Sequence, residues 1–358
     1  MPPTLAWGLV KLKYGFGIGY ARMDLSRCTD MHAHFYGGGL AEMLARRASR
    51  PCLRETIDGP VMLAMNGEFP FTPSHHDHTI GLAKMAAQGV TRRMLTFPGA
   101  LCADVLPLAE SLPAIRAFND HMAELRARTG GRLTALAGLP LADMEEAALE
   151  LVRVRRELRL PGAILPSNYF NTIAQARALE PVLRAANETG ALLMLHPGLM
   201  VGEDAPALAA DHPQYRTSAV ALQAQASQVV LTLILSDLLD AFPDIAFQAI
   251  NLGGTIPFIV ERMESIGRHR NADQPFPAER LKRIWYDAAS LGPRALEAAV
   301  KLYGADRIMA GSDYPIFHDS PLDAIREAAI SDSDKEKVAW RTAEALLDRQ
   351  DAFPGIGG

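Results

Sequence analysis

The sequence is poor in cysteine. Its 358 residues contain three, Cys28, Cys52 and Cys102, at unrelated spacings, and none belongs to a Cys-x-x-Cys pair. An odd number without a pattern argues against a disulfide framework, and the missing pairs argue against cysteine-bound zinc. We therefore expect a protein of a reducing compartment, the cytoplasm.

The sequence also lacks an excess of basic residues. Lysine and arginine total 36 against 41 acidic residues, which gives a net charge of -5 and predicts no nucleic-acid partner. No run of about 18 uncharged apolar residues is evident, so no membrane span is expected. The apolar stretch 5–20 is interrupted by Lys11 and Lys13 and has no convincing cleavage site, so it does not indicate a signal peptide.

The chain is expected to be one domain with a short extension. Met23 stands shortly before the first chemically dense segment, so residues 1–22 are interpreted as an upstream extension that is poorly ordered. Residues 23–358 would then form a single domain, and that length is ample for a buried core.

The segment Cys28-Thr-Asp-Met-His-Ala-His-Phe35 ends a short apolar run with two histidines. Side chains two apart on a strand point to the same face, so His32 and His34 can converge on one ion. Gly37, Gly38 and Gly39 follow and place the pair where a strand meets a loop. The alternative is a pair of polar loop residues without a ligand.

A rhythm of alternating strands and helices follows this segment. Eight strands with helices between them favour a (β/α)8 TIM barrel over a doubly wound sheet. A long irregular loop, 49–78, follows strand 1, and a helical insertion of about 204–241 follows strand 5. The later predicted strands are 92–97, 133–139, 162–166, 191–196, 245–250, 284–289 and 307–311.

Two further potential metal ligands stand at the ends of predicted strands. Strand 5 ends at His196, and strand 8 is followed by Asp313. Catalytic groups of this fold come from the carboxyl ends of different strands, so these residues would meet His32 and His34. Three imidazoles and a carboxylate suit zinc, manganese or iron(II). Taken singly, His196 could be a turn residue and Asp313 a helix cap.

From about residue 28 to 345 the chain resembles the decarboxylase-like branch of the amidohydrolase superfamily, of which aminocarboxymuconate semialdehyde decarboxylase is typical. The matching segments are Asp30-Met-His-Ala-His34, Gly89-Val-Thr-Arg-Arg-Met-Leu-Thr96, Leu139-Pro140, Leu195-His-Pro-Gly198, Leu252-Gly-Gly-Thr-Ile-Pro-Phe258 with Arg262, Tyr286-Asp287 and Gly311-Ser-Asp-Tyr-Pro315.

The resemblance implies one divalent metal held by His32, His34, His196 and Asp313. Zinc or manganese is expected, with iron as an alternative, and no organic cofactor. Most members of this branch remove CO2 from small aromatic or unsaturated carboxylic acids. Others are hydrolases, lactonases or hydratases, so hydrolysis of a lactone, an amide or a ring is the near alternative.

The resemblance also suggests substrate contacts. Arg262 matches a position that usually meets a substrate carboxylate, for which a planar bidentate donor is suited. A salt bridge with Glu261 or Glu264 is the structural alternative. Phe317 and His318 follow strand 8 closely enough to line the mouth of the barrel.

One position departs from the pattern. The family normally has an acid/base histidine just before Leu-Gly-Gly, where this chain has Asn251, and an amide cannot exchange the proton. Asn251 would instead hydrogen-bond the substrate, and Asp313 could steer a proton. Proton transfer could pass to His75, His76 or His78 in the long loop, with His76 the preferred candidate. Alternatively, these histidines could complete a second metal site of a dinuclear iron or manganese oxygenase.

Barrels of this kind commonly pair, so we expect a homodimer with the helical insertion as an arm across the interface. A non-catalytic chain in a hetero-oligomer with a related subunit is the remaining alternative. The small carboxylic acid is then the expected small-molecule partner.

Overall fold

A computed structural model describes residues 25–65 and 67–356, so the expected extension 1–22 lies outside the described residues. The strands of the described part are β1 (Thr29–His34), β2 (Cys52–Thr56), β3 (Gly59–Ala64), β4 (Gly67–Pro70), β5 (Arg92–Thr96), β6 (Leu133–Ala137), β7 (Gly162–Pro166), β8 (Leu192–His196), β9 (Ala246–Ala249), β10 (Trp285–Asp287) and β11 (Ile308–Met309).

Helices follow most strands, as the alternating pattern predicts. The α-helices of the described part are α1 (Leu40–Arg46), α2 (His78–Gln88), α3 (Leu108–Arg128), α4 (Met144–Arg156), α5 (Ile173–Arg177), α6 (Glu180–Glu188), α7 (Pro213–Tyr215), α8 (Leu222–Leu235), α9 (Leu238–Ala241), α10 (Ile256–Arg270), α11 (Pro293–Tyr303), α12 (Pro321–Glu327), α13 (Asp332–Glu336) and α14 (Thr342–Asp351).

The barrel is a sheet of eight parallel strands in the order β1-β5-β6-β7-β8-β9-β10-β11. It closes between the last strand and the first, where the backbone N–H of Met31 donates to the carbonyl of Ala310 at 2.8 Å and that of His34 donates to the carbonyl of Tyr314 at 2.6 Å. The expected (β/α)8 barrel is therefore confirmed, and all carboxyl ends of its strands meet at one mouth.

Local sequence explains why these elements form. The barrel strands β6, β7 and β8 are buried at every position, as strands covered on both faces must be. Helix α4 begins at a capping Asp143, whose carboxylate accepts from two backbone N–H groups of the first turn, and its last turn is basic. Gly162 allows β7 and β8 to approach, since a Cβ there would lie 1.8 Å from the carbonyl oxygen of Leu192.

The segment 49–78 is not irregular, and this part of the expectation was wrong. Strands within residues 52–70 of it form a three-stranded antiparallel sheet in the order β2-β3-β4. Its prolines suggested a loop, but Pro60 lies near the start of a strand, a position that tolerates proline. Asp58-Gly59 is a common hairpin turn signal, and Gly59 has the positive φ of 109° that such a turn requires.

The expected insertion 204–241 is helical only from Pro213 onward. The helical stretch Pro213–Leu235 is long and apolar enough to cross a membrane by length and composition alone. Its second half packs on the barrel through Val229, Val230 and Leu233, which are buried. Packing in the core thus accounts for the apolar second half of this stretch.

Candidate metal centre

Three imidazoles converge at the carboxyl end of the barrel. His32 and His34 come from β1 and His196 ends β8, and one ligand atom from each lies within 4.8 Å of the other two. Their ring centroids are 4.7 to 5.3 Å apart in edge-to-face arrangements. In the part of the chain that the structure describes, this is the one such group of three potential ligands.

The inner nitrogen of His32 is left for a ligand. Its Nδ1 lies 3.0 Å from Oδ1 of Asp287, and both side chains are buried. Its Nε2 is buried and has no hydrogen-bond partner among the described residues. A buried polar atom without a partner is costly, and a metal ion would satisfy it.

The other two rings are oriented in the same way. Nδ1 of His34 lies 2.7 Å from the hydroxyl of Thr96, and Nδ1 of His196 lies 3.2 Å from the carbonyl oxygen of Pro197. With each Nδ1 engaged by an oxygen, Nε2 is the nitrogen that remains for coordination.

Asp313 adds a carboxylate to the three rings. Its Oδ1 lies 3.1 Å from Nε2 of His34 and 3.7 Å from Nε2 of His32. The loop is held there because the backbone N–H of Asp313 donates to the carbonyl of His32 at 2.7 Å. Asp313 also has a φ of 57°, an uncommon value that often marks functional positions.

The electrostatics of the cluster favour a cation. Burial lowers the pKa of His32, but the carboxylates of Asp287, Asp313 and Asp30 outweigh it and raise that pKa to about 9. Burial and the two neighbouring imidazoles hold the pKa of His196 well below its usual value. Burial raises the pKa of Asp313, but hydrogen bonding and charge from the two histidines lower it overall. The lowered pKa values leave His196 neutral and Asp313 ionised, which are the forms that bind metals. The carboxylates that raise the pKa of His32 favour a positive charge at its ring, and a divalent ion would supply that charge in place of the proton.

Asp287 organises the ring of His32 from a fully buried position. Its Oδ1 accepts from His32 and from the backbone N–H groups of Asn251 and Ala289, at 3.3 and 3.2 Å. Its Oδ2 accepts from Nε2 of Gln248 at 2.9 Å. A carboxylate that accepts several hydrogen bonds is fixed in place, and it fixes the ring that it contacts.

Asp30 anchors the loop that carries Asp313. Its carboxylate accepts from the backbone N–H and the hydroxyl of Ser312, at 2.9 and 2.6 Å. Its charge is balanced by the buried Arg93, whose Nε lies 2.8 Å from Oδ2. This buried ion pair therefore connects β1, β5 and the loop after β11.

Asn251 is buried beside the cluster but donates elsewhere. Its side-chain nitrogen donates to the carbonyl of Ala289 at 3.0 Å and to the hydroxyl of Ser290 at 2.9 Å. Both amide hydrogens are thus used, and Oδ1 accepts no hydrogen bond from a described residue. The residue's one connection to His32 is its backbone N–H, through Asp287.

The histidines of the long loop are not gathered into a second group of ligands within the described residues. His75 is buried against Phe69, Phe71 and Tyr36, and its Nδ1 contacts Thr72. Burial lowers its pKa. His76 is exposed and stacks on Phe71. Asp77 caps α2, and His78 is the first residue of that helix.

The expected substrate contacts lie on exposed surface. Arg262 is exposed on α10 and forms no hydrogen bond or ion pair with a described residue, so the alternative salt bridge to Glu261 or Glu264 is absent. His318 is exposed and its ring contacts Tyr314, with centroids 6.0 Å apart. Phe317 is 45% exposed and lines a cleft of about 360 Å³ with Ser290 and Ser312. Their roles toward substrate stay predictions.

Sequence reasoning gave no role to Asp287, Thr96 or Asp30. A usable signal was present, because Asp287 and Thr96 end their strands at the mouth of the barrel and Asp30 stands two residues before His32. Polar residues at strand ends in this fold are candidates for the site or for its support.

Comparison with known proteins identifies relatives of this chain. Residues 29–349 match the model of a family described as amidohydrolase. The chain is 29% identical over 251 residues to the 2-amino-3-carboxymuconate-6-semialdehyde decarboxylase of Dictyostelium discoideum, a match that covers 68% of this chain and 65% of the relative. It is 26% identical over 251 residues to the gamma-resorcylate decarboxylase of a Polaromonas species, covering 65% of this chain and 75% of the relative.

A solved structure shares the fold. It is the dihydroxybenzoic acid decarboxylase of Polaromonas sp. JS666, crystallised with bound manganese and the inhibitor 2-nitroresorcinol. The two chains superpose with a TM-score of 0.66 and are 20% identical, and the match covers 90% of this chain and 96% of the other.

Proposed function

The chain belongs to the amidohydrolase family, and on that premise we propose that it is a metal-dependent lyase that removes CO2 from a small aromatic or unsaturated carboxylic acid. The observation that carries this proposal is the inward-facing cluster of His32, His34 and His196 beside Asp313. The relatives named as decarboxylases of carboxymuconate semialdehyde and resorcylate support the reaction and the substrate class.

We propose a divalent ion, zinc or manganese, as the cofactor, held by these three histidines and Asp313. Such an ion would polarise the carboxylate and an adjacent oxygen of the acid. The manganese in the dihydroxybenzoic acid decarboxylase supports this choice. Asp287 and Thr96 keep the rings of His32 and His34 in their binding orientation.

Asn251 suggests a feature of the substrate. Because both hydrogens of its amide are used, Oδ1 can accept a hydrogen bond but the side chain cannot donate one to a carboxylate. It would therefore select a hydroxyl or a bound water rather than the acid group. An aromatic acid with a neighbouring hydroxyl, such as 2,6-dihydroxybenzoate, meets this requirement.

Loss of CO2 leaves an electron pair on the ring carbon, which must receive a proton. Asn251 cannot supply it, and we propose His76 as the donor because it is the exposed imidazole of the loop. Hydrolysis is the second candidate function, since Asp313 is held as a carboxylate beside the cluster and could accept a proton from water.

The decisive experiment combines metal content with product analysis. Freshly purified protein should contain about one zinc or manganese per chain, and a His32→Ala/His34→Ala variant should contain none. His269→Ala, which removes an exposed histidine on α10, is the matched control and should retain the metal. Loaded protein is then incubated with 2,6-dihydroxybenzoate and 5-carboxyvanillate, and the CO2 released is measured.

Each outcome has a meaning. CO2 release that depends on His32 and His34 supports the lyase. If the protein binds metal and releases acid from lactones or amides but releases no CO2, the result would contradict the lyase and support the hydrolase. Absence of metal from the wild-type protein after loading would contradict both and favour the non-catalytic subunit.

We further propose a homodimer in the cytoplasm. Large apolar side chains are exposed on the helical insertion and on α10: Tyr215 is 68%, Val220 70% and Phe258 90% exposed. Exposed apolar groups of this size often mark an interface. The three cysteines are free and buried, as in proteins of a reducing compartment. Light scattering should give twice the chain mass, and Val220→Ser/Phe258→Ser should lower it to one chain.

A further inference from the structure

The end of the barrel opposite the metal centre contains a second, chemically distinct cleft. It has a volume of about 700 Å³ and lies where strands begin: Thr91 and Arg92 stand at the start of β5, and Arg132 immediately precedes β6. In an α/β barrel this amino-terminal end does not carry the catalytic groups. The cleft is therefore separate from the site described above.

Its lining is strongly basic. The lining has one acidic residue, Glu344, against the five arginines Arg27, Arg92, Arg126, Arg132 and Arg159. This is a local excess of positive charge in a chain whose net charge is -5. Clustered like charges repel, so an arrangement of this kind is stabilised by a bound anion.

Several guanidinium groups have donors to spare. The side chain of Arg132 forms no hydrogen bond or ion pair with a described residue. Arg27 lies over the ring of Trp340, 4.1 Å from its centroid, a contact that leaves its N–H edge available. Arg92 makes one long contact, 3.4 Å to Glu344, and its Nε is buried without a hydrogen-bond partner.

The net charge around the cleft also depends on two residues outside its lining, Asp351 and Arg155. Arg126 pairs with the carboxylate of Asp351 at 2.9 and 3.1 Å, so one of the five arginines is neutralised. Arg155 lies fully buried nearby and donates only to backbone carbonyls, those of Leu160, Thr189 and Gln350. Burial lowers the pKa of Arg155 to about 10, so it stays charged at neutral pH. Glu344 and Asp351 together leave the cleft with a clear positive excess.

We propose that this cleft binds a small anion that carries two or more phosphate groups. Guanidinium groups recognise phosphate through paired N–H donors, and several of them around one cleft suit a ligand of high charge density. Ala123, Ala127 and Leu158 provide an apolar wall, against which the organic part of a phosphorylated ligand can pack. The site lies under β1 and β5, the strands that bear His32, His34 and Thr96 at their other ends.

The proposal is tested by isothermal titration of full-length protein with sodium pyrophosphate and sodium tripolyphosphate at low salt. The test variant is Arg27→Gln/Arg132→Gln, which removes two guanidinium groups without touching the metal centre. The matched control is Arg268→Gln/Arg270→Gln, which removes the same charge from exposed positions of α10. Because polyphosphates also bind metal ions, the titration is repeated on the metal-free His32→Ala/His34→Ala variant.

We expect one polyphosphate per chain, bound with similar affinity by the wild type, the metal-free variant and the control. The dissociation constant should rise at least tenfold in Arg27→Gln/Arg132→Gln and should increase with salt, since each lost charged contact is worth roughly a factor of ten. No binding by the wild type would overturn the proposal. Equal weakening in the control would also overturn it, by showing a general charge effect, and loss in the metal-free variant would place the anion at the metal.

Discussion

Replacing Asp287 tests how the ring of His32 is held. The carboxylate accepts four hydrogen bonds, three at Oδ1 and one at Oδ2. Asparagine keeps only one oxygen. If its amide nitrogen takes the place of Oδ2, it faces Nε2 of Gln248, whose own Oε1 is buried without a partner. Rotation of Gln248 would restore a hydrogen bond there but would remove the one that its Nε2 donates to the carbonyl of Met31 at 3.3 Å. Asp287→Asn can therefore retain its contact with His32 but loses the charge and weakens the support from Gln248. Asp287→Ala loses the charge and all four hydrogen bonds.

The two substitutions therefore give graded effects on metal affinity. Removing a group that orients a metal ligand typically weakens binding by 10- to 100-fold, which is about 1.4 to 2.7 kcal/mol. We expect Asp287→Asn to lie near the lower value and Asp287→Ala near the upper one.

The assay is competition with a chromogenic chelator, using zinc and manganese at neutral pH. Asp104→Asn is the matched control, because it makes the same change at another buried carboxyl group that contacts none of the histidines. Its metal affinity should equal that of the wild type. Unchanged affinity in both Asp287 variants would refute the role of Asp287, and a loss as large in Asp104→Asn would attribute the effect to the removal of any buried carboxyl group rather than to the hydrogen bond with His32.

Three further predictions concern stability. Burial raises the pKa of Asp104 from 3.8 to about 7. The stabilising contribution of the protonated side chain is therefore complete below about pH 4 and is lost as the pH rises through 7. Above pH 7, the free energy of unfolding of Asp104→Asn, measured in urea, should exceed that of the wild type by up to about 4 kcal/mol. Arg93→Met leaves the buried carboxylate of Asp30 unpaired and should cost about 3 to 5 kcal/mol, seen as a lower Tm; a change within 1 °C would contradict the role of this pair. Gly162→Ala places a Cβ against the carbonyl of Leu192 and should prevent soluble expression, whereas a folded barrel in its circular dichroism spectrum would disprove that contact.

Much of the fold could be predicted from patterns in consecutive residues. Alternation of apolar strands with amphipathic helices is a property of consecutive residues, so it predicted eight strands, and the spacing of His32 and His34 predicted that their rings share a face. The barrel then brought His196 and Asp313 to the same mouth, because parallel strands end together. The segment 49–78 was misjudged because proline outweighed the turn signal Asp58-Gly59.

Contacts between side chains that are distant in the sequence could not be predicted from the sequence. His32 and Asp287 are 255 residues apart, and their contact depends on strand order and barrel closure. The amide of Asn251 turns toward Ala289 because of the shape of one loop, which no local pattern encodes. The arginines of the basic cleft likewise appear unrelated along the chain. The sequence by itself determined the barrel, its eight strands and the residue types at their ends; only the tertiary structure decided which of those groups meet, since contacts between distant residues depend on the closure of the whole sheet.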